Sequence, residues 1–219
     1  FPHAELFSPY GMTEMLIVSD GVRGASQSRR GVAVGHPLPG ADVIILPTGV
    51  ASNQVIAPLS QGETGEVFVT SPWLSTGYDQ HWLRNCDARI TYKGAEWHRT
   101  GDVGHLNDGL FIEGRTAHII NTRTKKLTPV PLEQSIEELF PGVSAAAVGV
   151  PHGDAADLVV VLSNGKKTAV ADVETLRRMR DITPEIAAVL WKKELPVDRR
   201  HNSKIDRIAL AAWAAEKLA

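Results

Sequence analysis

Glycine and proline punctuate the first half of this chain so densely that a long helix has no room there. Clusters such as Gly35-His36-Pro37-Leu38-Pro39-Gly40 and Gln61-Gly62-Glu63-Thr64-Gly65 leave only short apolar runs between them. Those runs, at 32–34, 43–46, 66–70 and 110–113, have strand length and turn formers on both sides. Ala4-Glu5-Leu6-Phe7 reads as a further strand. Asn107-Asp108-Gly109 marks a hairpin, because Asn and Gly tolerate positive φ. Residues 1 to about 113 are therefore expected to form a β-rich part, a small barrel or sandwich.

After Gly114-Arg115 the pattern changes to alternating strands and helices. Ile119-Ile120 and residues 125–128 are expected to form a hairpin. Pro131 opens a helix, having no N–H to lose at a first helical position, and Leu132, Ile136, Leu139 and Phe140 give it one buried face. Residues 145–150 and 158–162 read as buried strands, with Asn164-Gly165 as a turn after them. Asp172 and Thr183 are expected to be N-caps, with Pro184 just inside a helix whose apolar face is Ile186, Val189 and Leu190. A last helix is expected over 205–218. The expected fold class mixes α/β and α+β: a β-rich end of a larger domain over 1–113, a hinge at 114–118, and a compact α+β domain over 119–219.

Composition narrows the function classes. A formal net charge of -2 over 219 residues provides no bulk attraction to nucleic acid or anionic membrane. The single cysteine, Cys86, allows no internal disulfide framework and no Cys/His zinc spacing, which points to a reducing compartment such as the cytoplasm. No apolar run reaches membrane-spanning length. The chain starts at Phe1 with a strand expected almost at once, so it is read as part of a longer protein. The scattered histidines, His81, His98, His105, His118, His152 and His201 among them, show no metal-ligand spacing.

Four constellations can carry chemistry. In Tyr10-Gly11-Met12-Thr13-Glu14, which is expected to follow a strand, glycine permits close backbone approach. Tyr10 offers a flat face for a base, Thr13 a hydroxyl for a phosphate oxygen, and Glu14 a hard ligand for Mg²⁺. Arg99-Thr100-Gly101-Asp102, expected just after a strand at 96–98, ends in a carboxylate able to accept both hydroxyls of a ribose. Arg115 has a planar fork suited to phosphate or ribose oxygens. Lys204 sits in a basic loop before the last helix, as a compact charge suited to a phosphoryl oxygen in a transition state. Each has a plainer reading: a surface turn for the pentapeptide, a self-capping turn for Asp102, a surface ion pair for Arg115 and a solvated lysine for Lys204.

Taken in order, these motifs resemble the adenylate-forming superfamily of acyl-CoA synthetases, nonribosomal adenylation domains and luciferases. Tyr10-Gly11-Met12-Thr13-Glu14 is similar to its aromatic-Gly-x-Thr-Glu motif. Gly62-Glu63-Thr64-Gly65-Glu66-Val67 through Gly77-Tyr78 resembles its Gly-Glu-hydrophobic…Gly-Tyr segment. Arg99-Thr100-Gly101-Asp102 and Gly114-Arg115 match the next two motifs, and Asn202-Ser203-Lys204-Ile205-Asp206-Arg207 resembles its Asn-Gly-Lys-x-x-Arg element. The resemblance implies an ATP-dependent, AMP-forming ligase acting on a carboxylic acid, with a fatty acid as the expected substrate. It implies that Tyr10 stacks on adenine and that Gly11 and Met12 belong to the nucleotide-binding set. Thr13 would contact the α-phosphate, Glu14 would bind Mg²⁺, Asp102 would hold ribose, and Arg115 would support ribose or phosphate. Lys204 would act as the catalytic lysine, on a domain that swings about the hinge.

Three departures qualify these expectations. The family's glycine-rich phosphate loop and most of its large N-terminal domain are missing, so the chain alone is expected to turn over ATP poorly or not at all. Ala117 stands where the family has a charged hinge residue. Arg123-Thr124 stands where thioester-forming members have Ser-Gly, which leaves the acceptor open between CoA and another nucleophile. Ser8–Glu14, Trp97–Asp102 and Arg200–Lys204 are similar to the β-lactone synthetases of bacterial olefin synthesis, which act on β-hydroxy fatty acids without CoA. A non-catalytic nucleotide-binding or regulatory module is the alternative from a different class.

Overall fold

The computed structural model describes residues 6–22, 30–52, 54, 56–166, 168–198 and 204–219. The chain divides into two compact units, Phe1–Ala117 and His118–Ala219. No helix among the described residues is long and apolar enough to cross a membrane.

The first unit contains β1 (Phe7–Met12), β2 (Met15–Val22), β3 (Val32–Ala33), β4 (His36–Pro37), β5 (Asp42–Leu46), β6 (Gly65–Thr70), α1 (Trp82–Ala88), β7 (Arg89–Tyr92), β8 (Ala95–Asn107) and β9 (Gly109–Arg115). β1, β2 and β4 form one antiparallel sheet. The others form a curled half-barrel in the order β3-β9-β8-β6-β5, with β7 also paired to β8. β6 is buried on both faces of this sheet. Val67 and Val69 are buried in one core with Met15, Val18 and Leu110, while Phe68 between them is buried in a second core with Leu46, Ile90 and Trp97. Alternate side chains of one strand thus serve two apolar clusters, one on each face of the sheet.

A 3₁₀ turn at Thr116–His118 spans the boundary to the second unit. That unit contains β10 (Ile120–Asn121), β11 (Lys126–Leu127), α2 (Pro129–Leu139), β12 (Ser144–His152), β13 (Ala155–Ser163), β14 (Ala169–Val170), α3 (Val173–Arg180), β15 (Ile186–Trp191) and α4 (Arg207–Leu218). A four-stranded sheet runs β12-β13-β15-β14. Leu158, Val160 and Leu162 of β13 face a core that includes Ile136 of α2 and Met179 of α3. Val159 and Val161 face Leu210 and Ala214 of α4. Helices therefore cover both faces of the sheet, and residues 158–162 of β13 are apolar without a break, with no polar alternation.

Several local expectations are corrected. Tyr10, Gly11 and Met12 lie within β1 rather than after a strand, and Thr13-Glu14 form the turn into β2. Leu6 precedes β1, and Ala4-Glu5 lie outside the described residues. The strand expected at 96–98 runs on to Asn107, so Arg99-Thr100-Gly101-Asp102 is inside it. α2 opens at Pro129, two residues early, because Thr128 stands at the N-cap and Pro129 takes the first helical position. Leu139 at its end is exposed. Helix α1 was not foreseen; it is only seven residues long, and none of its residues is buried, Trp82 and Leu83 included.

The largest correction is at 184–190, where a helix was expected and β15 is found. Ile186, Val189 and Leu190 have helical spacing, but the strand carries a bulge: Leu158 pairs with Ile186, and Val159 with Ala188. The extra residue, Ala187, shifts the period, so Ile186, Val189 and Trp191 all face one core. A bulged strand thus imitates a three-residue repeat. Asp172 does cap α3, accepting from the Thr175 N–H at 2.8 Å.

Candidate active site

The Thr-Gly-Asp corner of the first unit is a bulge whose hydrogen bonds are mended from within. Glu66 pairs with Val103 and Phe68 with Arg99, so Thr100, Gly101 and Asp102 together oppose Val67. Gly101 takes φ +74°, a conformation that side-chain-bearing residues rarely adopt. The Thr100 hydroxyl donates to the Val67 carbonyl at 2.9 Å and accepts from the Asp102 N–H at 3.0 Å. The Val67 carbonyl and the Asp102 N–H, which face each other across the bulge, are thereby satisfied. Arg99 turns the other way: its guanidinium lies 3.0 Å from the buried Glu66 carboxylate and also donates to the Val50 carbonyl. Burial raises the Glu66 carboxyl above its ordinary range, against the opposing pull of Arg99.

Asp102, only 8% exposed, is held at both oxygens. The Tyr10 hydroxyl donates to Oδ2 at 2.6 Å, and Arg115 Nε lies 2.9 Å from Oδ1. Arg115 is the direct cross-strand partner of Asp102 between β8 and β9. Burial, reinforced by the charge and hydrogen bond of Asp102, pushes the Tyr10 phenol far above its ordinary range, so it stays a donor. A carboxylate has about four acceptor positions, so two neighbours leave capacity for diol hydroxyls.

Glu14 anchors a second cluster. The Tyr78 hydroxyl donates to Glu14 Oε1, and the Glu14 carbonyl accepts from the Ser75 N–H at 2.8 Å. Asn85 of α1 clamps Tyr78 by two hydrogen bonds, accepting from its N–H at 2.6 Å and donating to its carbonyl at 2.9 Å. Burial opposes ionisation of Glu14, but the Tyr78 hydroxyl, the Glu14 backbone N–H and the charges of His98 and Arg89 hold its carboxyl below the usual range. Burial and the Glu14 carboxylate push the Tyr78 phenol up to about 12. Burial and Arg89 hold the His98 imidazole below its ordinary value.

The remaining residues of the pentapeptide divide. Gly11 is required by its own hairpin, since a Cβ there would collide with the Leu16 carbonyl oxygen. Met12 packs against the core beside Tyr10. Thr13 is exposed at the turn. Among the described residues no three His, Cys, Asp or Glu side chains gather into a metal-ion group. A cation at Glu14 would therefore have to complete its shell with water and ligand oxygens, as Mg²⁺ does on nucleotide phosphates.

Lys204 belongs to the second unit, and its surroundings are described there alone. Its side chain is exposed, while its backbone is held. The Lys204 carbonyl accepts from the Asp198 N–H at 2.8 Å, the Asp206 N–H donates to the Pro196 carbonyl at 2.8 Å, and Val197 bridges Ile205. Asn202-Ser203 of the same motif lie outside the described residues. The first unit thus brings Tyr10, Asp102 and Arg115 together and gives Glu14 its own partner. Reading by motif assigned no role to Thr100, Tyr78 or Asn85. Their signal was weak: Thr100 and Tyr78 stand inside motifs whose other members drew the attention, and Asn85 lies in an unforeseen helix.

No family model matches the sequence. The chain is 33% identical over 239 residues to an olefin β-lactone synthetase of Xanthomonas campestris pv. campestris, with 98% of this chain and 43% of that protein covered. It thus spans less than half the length of this relative. Among solved structures, the amide bond synthetase McbA of Marinactinospora thermotolerans aligns with TM-score 0.75 and 27% identity, over 95% of this chain and 41% of that one. ATP-bound MatB of Rhodopseudomonas palustris aligns with TM-score 0.77 over 96% of this chain and 41% of that one, at 22% identity, a likeness of fold. With the motif order, the bulge that presents Asp102 and these likenesses in agreement, the chain belongs to the adenylate-forming superfamily and corresponds to the C-terminal portion of its members.

Proposed function

We propose that this chain is part of an ATP-dependent, AMP-forming ligase that activates a carboxylic acid as its acyl-adenylate. The observation that carries the reading is the Asp102 carboxylate, presented from a strand bulge and oriented by Tyr10 and Arg115. Such a group suits a ribose diol, since it is charged, aimed and still able to accept. Tyr10 and Asp102 orient the nucleotide, and Thr13 offers its exposed hydroxyl to the α-phosphate. Glu14 has one carboxylate oxygen tied to Tyr78, which leaves the other for Mg²⁺ shared with phosphate. Bound Mg²⁺ would offset charge on the phosphoryl oxygens as pyrophosphate leaves. Lys204 supplies an ammonium for the same charge. The activity belongs to the complete enzyme; this chain alone, without the phosphate-gripping loop, turns over ATP poorly or not at all.

For the acid and the acceptor, the 33% identity to an olefin β-lactone synthetase favours a β-hydroxy fatty acid whose own hydroxyl closes the ring. The turn at Arg123-Thr124 agrees with an acceptor other than CoA. Thr124 Oγ1 donates to Glu185 Oε2 at 2.7 Å and Lys125 Nζ donates to Thr183 Oγ1 at 3.2 Å, so side chains fasten a turn where a glycine would leave space. The test is mass spectrometry of products from the full-length enzyme, given ATP with β-hydroxy or plain fatty acids, with and without CoA. A β-lactone and AMP without CoA supports the finer reading. An acyl-CoA supports the general one only. Absence of AMP with any acid, together with no affinity of the chain for acyl-adenylate analogues, indicates a non-catalytic module and refutes both.

A further inference from the structure

Arg207 stands at the first position of α4, where a cation meets the positive end of the helix dipole. Its placement needs a reason, and Glu133 of α2 provides one. The two side chains are 12% and 10% exposed and form a two-pronged pair: Arg207 Nη1 and Nη2 donate to Glu133 Oε1 and Oε2, the second at 3.0 Å. Both also hold the outer edge of β12. The Ala147 N–H donates to Glu133 Oε1 at 2.7 Å, and Arg207 Nη1 donates to the Ala147 carbonyl at 3.1 Å. One turn along α2, Glu137 accepts from the Ala145 N–H at 2.9 Å. The spacings match, since four helical residues rise about 6 Å and two strand residues about 6.8 Å. The edge of β12, α2 and the start of α4 are thus tied through Glu133 and Arg207.

The chain between Arg207 and Lys204 has little slack. Asp206 caps α4, accepting from the Ala209 N–H at 3.0 Å, while its own N–H is held by Pro196. Ile205 is bridged to Val197 and packs against the core beneath α4. Three residues span at most about 10 Å. We propose that Glu133 and Arg207 are positioning residues that set where the Lys204 backbone stands, leaving its side chain free to reach. The inference rests on the reading of Lys204 as the catalytic lysine.

The test uses the full-length enzyme with Glu133→Gln, Arg207→Lys and Lys204→Ala. Glu133→Gln keeps the shape and removes the charge, and Arg207→Lys keeps the charge and removes the fork. Acid-dependent pyrophosphate release in Glu133→Gln is expected to lose about tenfold to a hundredfold in kcat, as for a modest misplacement of a reacting group, with KM for ATP within about twofold. Arg207→Lys should lose less. Amide hydrogen exchange should quicken at Asp198 and Asp206 while Val159 and Val161 keep their protection. Unchanged kcat in either folded variant, or exchange rising equally through β13, overturns the proposal by reducing the pair to a stabilising one; if Glu133→Gln does not fold, Arg207→Lys decides. Normal release in Lys204→Ala overturns the lysine reading and this inference with it. Lost release there beside normal Glu133→Gln overturns the anchor alone.

Discussion

The two candidate regions are held in opposite ways. In the first unit the side chains themselves are fixed: Asp102 between Tyr10 and Arg115, Glu14 by Tyr78, and Thr100 inside its bulge. In the second unit the backbone is fixed and the head group is exposed: Lys204 stands on a bridged segment, three residues before the Arg207 of a largely buried ion pair. The difference fits the two tasks proposed. Recognition of a nucleotide needs donors and acceptors set before the ligand arrives, since ordering them afterwards costs binding free energy. A charge delivered during reaction needs a firm stem and a free end.

The largest expected effect lies with the free end. Lys204→Ala in the complete enzyme should lower acid-dependent pyrophosphate release about a hundredfold to a thousandfold, with ATP affinity nearly unchanged. Near-normal release would remove one side of the comparison. Asp102→Ala should act oppositely, on binding and stability together. It leaves a buried Tyr10 hydroxyl and the Arg115 guanidinium without their carboxylate, at about 1–3 kcal/mol, measurable by denaturant unfolding, and it should weaken nucleotide affinity by calorimetry. If affinity is untouched, the ribose assignment fails.

Tyr78→Phe is expected to be milder, about 1 kcal/mol for one partly buried hydrogen bond. It should also let the Glu14 carboxyl titrate higher, which carbon-detected NMR of labelled Glu would follow. A Glu14 titration that stays put would mean that Tyr78 does not orient it. The smallest effect is pH dependence from His98. Its folded pKa lies below the ordinary 6.5, so the unfolded chain binds the proton first. Stability should be full above about pH 6.5 and fall as pH drops from there toward the folded value. His98→Phe should flatten that slope in thermal melts between pH 7 and 5, and an unchanged slope would assign it to other groups.

Much of the candidate site, including the Tyr10-Asp102-Arg115 cluster, could be named in advance because motif residues are local. Tyr10, Glu14, Asp102 and Arg115 were named from short segments, and the β-rich and α+β halves followed from turn formers and apolar runs. The misreadings share a cause. β15 passed for a helix because Ala187 bulges out of register with β13, a partner some 30 residues earlier in sequence. Thr100 passed for a bystander because its task is to mend hydrogen bonds with Val67, on another strand. Glu133 drew no notice, since a glutamate on an amphipathic helix is ordinarily solvated.

The sequence by itself determined which segments turn, which are apolar and which chemical groups are at hand. Those properties depend on neighbours a few residues away, through backbone freedom and side-chain period. Only the tertiary structure decided which carboxylate meets which donor: Asp102 with Tyr10, 92 residues apart, and Glu133 with Arg207, 74 apart. Hydrogen bonds and ion pairs reach about 3 Å, so a pairing over such separations exists only once strand register and helix docking have brought the two groups together.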